Sequence, residues 1–243
     1  MRAAITRTLV GAALCCAVAA AQDAMPSAAA VLRELQAGND HHVAKQYQHP
    51  HQTAARQREL ASNQHPHATV LTCADSRVPA EIILDQGLGD LFDVRVAGNV
   101  AGEAELASIE YAAVHLHTPL VVVMGHQKCG AVTAAAEGGE PEGHLPSLLG
   151  LIRPAVERAR AQPGDLIDNA VRINVEEVVR QLRGSKPVLA PLVEGGTLTV
   201  VGAVYSLDTG KVTWLPDGQP KSGRPELPRE SAPPVGSHGP KIN

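Results

Sequence analysis

Two short segments of the chain carry side chains of the kinds that bind transition metals. In the first, Cys73 and Asp75 are separated by one alanine, and in the second, His126 and Cys129 are separated by two residues. Two thiols, an imidazole and a carboxylate form a standard ligand set for zinc, and zinc sites commonly combine neighbouring ligands on one turn with others from a distant element. The sequence therefore predicts a zinc site formed by Cys73, Asp75, His126 and Cys129.

The fourth ligand position decides what such a site can do. If Asp75 binds the metal, the site is closed and structural, whereas an open position admits a water molecule that becomes a nucleophile. Arg77 follows two residues later and can pair with this carboxylate through two hydrogen bonds. An Asp75–Arg77 pair would hold the carboxylate off the metal and leave it able to accept a proton from the bound water. The residues alone leave both alternatives open.

The charge of the ligands limits how strongly such a site acidifies water. Two thiolates cancel the 2+ charge of zinc, so a site of this kind is less acidifying than one of three neutral imidazoles. Positively polarised groups nearby would have to compensate for this weaker acidification of the bound water.

The elements around these segments alternate between strand and helix. The predicted strands cover 68–72, 91–96, 119–124, 197–205 and 211–215, and the predicted helices cover 28–38, 79–84, 103–116, 130–136, 145–161 and 167–182. This pattern predicts an α/β fold with a mainly parallel central sheet flanked by helices, an amino-terminal helical arm that ends at Gly38-Asn39, and a carboxy-terminal hairpin. Ligands of such sheets bind beyond the carboxyl ends of the strands. Cys73 follows the first strand and His126 the third, so the two segments meet if those strands are neighbours.

The start of the chain has the pattern of a secretory leader. Arg2 and Arg7 precede an apolar stretch that is too short for an ordinary membrane span, and three alanines precede Gln22. We expect residues 1–21 to be a cleaved signal peptide, which implies a periplasmic or secreted protein with no membrane segment after cleavage. An uncleaved anchor is the alternative, and lipid attachment at Cys16 fits the sequence less well.

The rest of the chain is predicted to form one zinc-binding catalytic domain, 22–215, followed by a flexible tail, 216–243, that is rich in Pro, Gly, Ser and charge. The formal net charge of −4 gives no reason to expect a nucleic-acid partner. Cys73 and Cys129 are the two cysteines that remain after the leader. In an oxidising compartment they could form a disulfide, but a disulfide would not explain Asp75, Arg77 and His126 at their spacings.

Four segments together resemble the β-class carbonic anhydrases. These segments are 73–79, 85–92, 94–99 and 125–130, and the weaker resemblance runs from about Ala28 to Leu215. The resemblance implies reversible hydration of CO2 to bicarbonate and a proton, with zinc held by Cys73, His126 and Cys129. It also implies that zinc-bound water or hydroxide is the nucleophile and that an Asp75–Arg77 dyad gates its site.

The same resemblance implies substrate-binding residues and an assembly. Gln64, Phe92, Tyr111 and the backbone N–H of Gly130 match positions that contact substrate in the family. The family forms obligate dimers or larger homo-oligomers, so Gln64, Phe92 and Tyr111 are expected to act on the neighbouring subunit's zinc. One departure is Asp40-His41-His42, where many relatives have an Arg-Phe pair, and it leaves the packing of the amino-terminal arm open.

Two other functions remain compatible with these residues. The same site could act on COS or CS2 in place of CO2. A non-enzymatic zinc or redox protein would keep Asp75 on the metal or pair Cys73 with Cys129.

Overall fold

The computed structural model describes residues 25–216, so the predicted signal peptide and all but the first residue of the predicted tail lie outside the described residues. The strands are β1 Ala68–Thr72, β2 Leu91–Arg95, β3 Leu120–His126, β4 Thr199–Tyr205 and β5 Val212–Trp214. The helices are α1 Ala28–Ala44, α2 Ala54–Leu60, α3 Ala80–Ile83, α4 Glu103–His115, α5 Gly130–Glu137, α6 Leu145–Ala159, α7 Leu166–Gly184 and α8 Leu189–Glu194, with a short 3-10 turn at Ala97–Asn99.

The five strands form one sheet in the order β2-β1-β3-β4-β5. The first four are parallel, and β5 is antiparallel to β4, so the predicted sheet and hairpin are confirmed. The chain moves from β1 outward to β2 and then returns to place β3 on the other side of β1. The carboxyl ends of β1 and β3 therefore meet where the strand order switches, which is the usual ligand position in such sheets.

Apolar side chains on the two faces of the sheet form two core clusters. β1 and β3 are buried along their whole length, as expected for central parallel strands covered by helices on both faces. One cluster joins α1, α5 and α6 to the sheet, and the other joins α4 and the later part of α7 to its opposite face. Residues 25–216 contain no helix that is both long enough and apolar enough to cross a membrane.

The predicted end of the first helix at Gly38-Asn39 is wrong, because α1 continues to Ala44. A Cβ atom at Gly38 would lie 1.8 Å from the carbonyl oxygen of Leu84, so glycine is needed there for close packing against the end of α3. Asn39 is buried and makes three hydrogen bonds: its Nδ2 donates to Ile83 O and Gly210 O, and its Oδ1 accepts from Val212 N. Tertiary packing therefore overrides two residues that usually stop a helix.

The two histidines at the departure from the family pattern both make specific contacts. His41 Nδ1 lies 2.9 Å from Asp85 Oδ2, and buried His42 has Nε2 3.1 Å from the hydroxyl of Tyr205 and Nδ1 2.9 Å from the hydroxyl of Tyr47. These contacts attach α1 to the loop after α3 and to the end of β4. The arm is thus packed onto the sheet through polar rather than purely apolar contacts.

Candidate metal centre

Three of the predicted ligands converge at the carboxyl edge of the sheet. Cys73 directly follows β1, His126 is the last residue of β3, and Cys129 precedes the first residue of α5. Because β1 and β3 are parallel neighbours in register, the two segments meet as predicted. The metal-binding atoms of the three side chains all lie within 4.8 Å of one another, and all three residues are buried.

The three side chains fit a zinc ion. His126 Nδ1 lies 2.8 Å from the carbonyl oxygen of Gln127, which orients the ring. The opposite nitrogen, Nε2, is buried and has no hydrogen-bond partner among residues 25–216. A buried polar atom without a partner is rare, and a bond to a metal ion would satisfy this one. Two sulfurs and one imidazole nitrogen are a donor set typical of zinc.

The two cysteines are free thiols in this structure. Their sulfur atoms are 4.0 Å apart, about twice the length of a disulfide bond. The hydrogen bond from Cys129, assisted by His126 and the backbone N–H of Gly98, lowers the pKa of Cys73 to about 4 despite its burial. Cys73 is therefore prepared as a thiolate, which is the form that binds metal.

Asp75 lies beside this cluster and is held by Arg77. Its Oδ1 accepts hydrogen bonds from the backbone N and the Nε of Arg77, both at 2.9 Å, and its Oδ2 accepts one from an Arg77 terminal nitrogen at 2.7 Å. The side-chain hydrogen bonds from Arg77 are the main cause that holds the pKa of Asp75 well below its usual range. Asp75 Oδ2 is 3.8 Å from His126 Nε2, so an ionised oxygen lies next to the ligands.

A second arginine fixes the backbone of the same turn. Arg95, at the end of β2, donates from Nε and a terminal nitrogen to the carbonyl oxygen of Cys73 at 3.2 and 3.1 Å. The terminal nitrogen also donates to the carbonyl oxygen of Asp75 at 2.7 Å. Arg95 lies in one of the four segments that resemble the family, but this contact with the backbone of the first ligand segment was not predicted from the sequence.

The predicted substrate-binding residues fall into two groups. Gly130 is the first residue of α5 and directly follows Cys129, so its backbone lies at the metal site. Phe92 pairs with Thr69 in the sheet, three residues before the carboxyl end of β1, and is therefore about 10 Å along the strands from the edge that carries the ligands.

Gln64 and Tyr111 also lie away from the metal site of their own chain. Gln64 is exposed in the loop before β1, at the amino end of that strand. Tyr111 is on α4, is 47% exposed, and has its ring centroid 6.2 Å from that of Phe92. A single chain thus gathers the metal ligands, Asp75 and Gly130, but not Gln64, Phe92 and Tyr111.

Comparison with known proteins agrees with this description. Residues 68–212 match the family model described as carbonic anhydrase. The chain is 41% identical to carbonic anhydrase 2 of Mycobacterium tuberculosis over 186 residues, which cover 75% of this chain and 90% of that protein. It is also 41% identical to a carbonic anhydrase of Mycolicibacterium smegmatis over 187 residues, covering 75% and 91% of the two chains.

Solved structures show the same architecture. The β-carbonic anhydrase CafA of Aspergillus fumigatus is similar with a TM-score of 0.61 and 32% identity, over 79% of this chain and 93% of that chain. One of two tetrameric β-carbonic anhydrases from Sordaria macrospora is similar with a TM-score of 0.62 and 26% identity, over 78% and 98%.

Fold and ligand set together define a zinc enzyme built on an α/β sheet, with the metal at the switch in strand order. The chain belongs to the carbonic anhydrase family and, within it, to the β class. Its activity is that of a carbonate dehydratase, and its cofactor is zinc held by Cys73, His126 and Cys129.

Proposed function

We propose that Asp75 and Arg77 act together in the hydration of CO2 at the Cys73–His126–Cys129 site. The observation that carries this proposal is the position of an ionised carboxylate oxygen 3.8 Å from the metal-binding nitrogen of His126, held there by two side-chain hydrogen bonds from Arg77. Zinc supplies the chemistry that lets a water molecule attack CO2 near neutral pH.

The chain's own residues supply orientation and proton handling. Asp75 Oδ2 accepts a hydrogen bond from Arg77 and retains a lone pair that can accept another from the reacting water. Because Arg77 keeps Asp75 ionised, this oxygen is an acceptor and never a competing donor. The backbone N–H of Gly130 adds a donor toward the substrate oxygens.

Gln64, Phe92 and Tyr111 complete the site of a neighbouring subunit in this proposal. Gln64 lies in the loop before β1, Phe92 in β2 and Tyr111 on α4, all away from the metal ligands of their own chain. The Sordaria relatives are described as tetrameric, and homodimers are the smallest assembly that would bring these residues to a second metal site.

A mixed assembly tests this arrangement. Gln64→Ala and Cys129→Ser each remove one half of the proposed composite site and should each be nearly inactive alone. A mixed dimer of the two variants should recover CO2 hydration, because Gln64 of the second variant completes the intact metal site of the first. Absence of recovery in mixed dimers verified by native mass spectrometry contradicts action across the interface.

The hydration proposal itself is tested with the purified, fully zinc-loaded protein. Stopped-flow measurement at pH 8.5 should show CO2 hydration far above the buffer rate, and Cys129→Ser, which removes one thiolate with little change of shape, should reduce it to the buffer rate. A wild-type rate equal to that of buffer overturns the proposal.

We further propose a periplasmic or secreted location, which rests on the pattern of residues 1–21 alone. Expression of the full chain and sequencing of the mature amino terminus should show a start at Gln22 in the exported fraction. A mature protein that begins at Met1 and stays in the cytoplasm contradicts this location.

A further inference from the structure

A buried amide side chain lies behind the metal ligands. Asn174, in the middle of α7, is 1% exposed, and its Nδ2 donates a hydrogen bond of 2.9 Å to the carbonyl oxygen of Gly98. The backbone N–H of the same Gly98 donates to Cys73 Sγ at 3.3 Å. Two hydrogen bonds thus connect the middle of α7, through the backbone of Gly98, to the sulfur of Cys73.

Gly98 is tightly enclosed. It lies in the turn Ala97–Asn99 with φ of 75°, the left-handed region that favours glycine. A Cβ atom here would lie 2.6 Å from Cδ1 of Ile152 on α6 and 3.3 Å from Cβ of Ala131 on α5. Gly98 is therefore enclosed by Ile152 and Ala131, and the hydrogen bond from Asn174 fixes its carbonyl group.

An N–H group that donates to a thiolate ligand withdraws charge from the sulfur. Hydrogen bonds of this outer kind orient metal ligands and tune the metal, and their loss commonly costs 10- to 100-fold in metal affinity or activity. The effect is valuable in this site, because two thiolates cancel the charge of zinc and weaken its action on water. The Gly98 N–H is one of the polarised groups that can compensate.

We propose that Asn174 is a positioning residue of this enzyme: by holding the Gly98 backbone, it keeps the Gly98 N–H on Cys73 Sγ and so keeps charge off that ligand. This inference deepens the proposed function, because it concerns how well the same metal site promotes CO2 hydration. It assigns a role in the reaction to a residue that touches neither substrate nor metal.

Gln181 provides a matched comparison within the same helix. It lies on the same face of α7, and its Nε2 donates at 2.8 Å to the carbonyl oxygen of Ala101, only three residues beyond Gly98. Both amides attach α7 to the same loop, but only the contact of Asn174 continues to a metal ligand. Gln181 is exposed whereas Asn174 is buried, so removing Gln181 reports the effect of losing an attachment of α7 to this loop that does not reach a metal ligand.

The test compares wild type, Asn174→Leu and Gln181→Leu in Co²⁺-substituted and Zn²⁺-loaded forms. For Asn174→Leu we expect the thiolate-to-cobalt charge-transfer band to move to lower energy, because the sulfur becomes more electron-rich. We expect zinc affinity, measured by chelator competition, to fall about 10-fold or more, and the pH profile of kcat to move to higher pH. Gln181→Leu should leave the band and the pH profile at their wild-type positions.

Two further measurements keep the test decisive. In ¹¹³Cd-substituted wild type, the Gly98 amide proton should show scalar coupling to the metal through the N–H···S bond, and its absence overturns the proposal. If Asn174→Leu does not fold, the smaller Asn174→Ser is used, with the same expected shifts. A charge-transfer band and pH profile that match those of Gln181→Leu, in either variant, reduce Asn174 to a structural role. The cobalt and cadmium spectra are read without turnover, so a failure of the CO2 hydration proposal is distinguishable from a failure of this one.

Discussion

Replacing Gly98 by alanine tests whether the turn beside Cys73 must be glycine. A side chain at φ of 75° costs about 1–2 kcal/mol. The added Cβ would also meet Ile152 Cδ1 at 2.6 Å and Ala131 Cβ at 3.3 Å. Overpacking of this size costs about 1–3 kcal/mol, toward the lower end here because the closest atom is the tip of a flexible side chain. Together these contributions predict a loss of about 2–4 kcal/mol.

The assay is thermal unfolding of the zinc-loaded protein together with its CO2 hydration rate. For a domain of this size, 1 kcal/mol corresponds to about 2–4 °C, so Tm should fall by about 5–15 °C. The displaced Gly98 N–H should in addition lower kcat about 10-fold, since it can no longer donate properly to Cys73 Sγ.

Gly150→Ala is the control, because Gly150 lies in α6 and a Cβ there would meet nothing within 4 Å. It should leave kcat unchanged and keep or slightly raise Tm, since alanine favours helix by about 1 kcal/mol over glycine. A Gly98→Ala protein with the Tm and kcat of wild type would refute the argument that this turn is fixed by packing and serves the metal ligand.

Three other changes probe separate parts of the account. Arg77→Leu should lower kcat about 10- to 100-fold, because the carboxylate of Asp75 is then no longer held by two side-chain hydrogen bonds. Arg77→Lys should have a kcat between those of wild type and Arg77→Leu. Stopped-flow CO2 hydration measures both, and wild-type turnover in Arg77→Leu would contradict the role of Arg77. Burial, with the nearby carboxylate of Glu81, raises the pKa of Asp93 to about 8, so the folded state keeps a proton that the unfolded state loses above its ordinary pKa near 4. The contribution of Asp93 to stability should therefore fall as pH rises from about 4 to about 8. The difference in unfolding free energy between wild type and Asp93→Asn, measured by denaturant titration, should shrink by that amount over this range; parallel pH profiles of the two proteins would count against it. Asn39→Leu removes three buried hydrogen bonds and should destabilise the fold by about 3 kcal/mol without changing the zinc content, as urea unfolding and metal analysis can check; an unchanged unfolding midpoint would exclude the role given to Asn39.

The sequence predicted the sheet well because its central strands are buried on both faces. β1 was placed at its observed bounds from a continuous apolar run, whereas the strand predicted at 119–124 began one residue before β3 and lacked its last two residues, Gly125 and His126. Gly125 and His126 were assigned to the ligand-bearing turn after the strand. In the structure both still pair with β4, and this pairing positions His126. The metal ligands could be predicted because zinc requires specific residue types at specific spacings.

Packing decided what the sequence did not show. Gly38 and Asn39 have the local character of a helix end, and only their contacts with α3 and the hairpin keep α1 helical. The short helices α2 and α8 were missed because short helices depend on tertiary contacts more than on periodicity.

The polar support of the metal site was also invisible in the sequence. An asparagine between Ile173 and Val175 on the apolar face of α7 is the one local feature that could have indicated Asn174, and it was not singled out from the sequence. Its partner Gly98 is distant along the chain, so nothing in a linear reading connects the two. Gln64 was assigned to substrate binding from family resemblance alone, and the fold places it away from the ligands of its own chain.

The central claim is that Cys73, His126 and Cys129 hold one zinc ion on which activity depends. Titration of the metal-free protein with Zn²⁺, followed by the rate of CO2 hydration, tests it most directly. We expect the rate to rise linearly and to reach its plateau at one equivalent per chain, with loss of two titratable thiols over the same range. A hydration rate that does not respond to zinc, or thiols that remain fully reactive at the plateau, would contradict it.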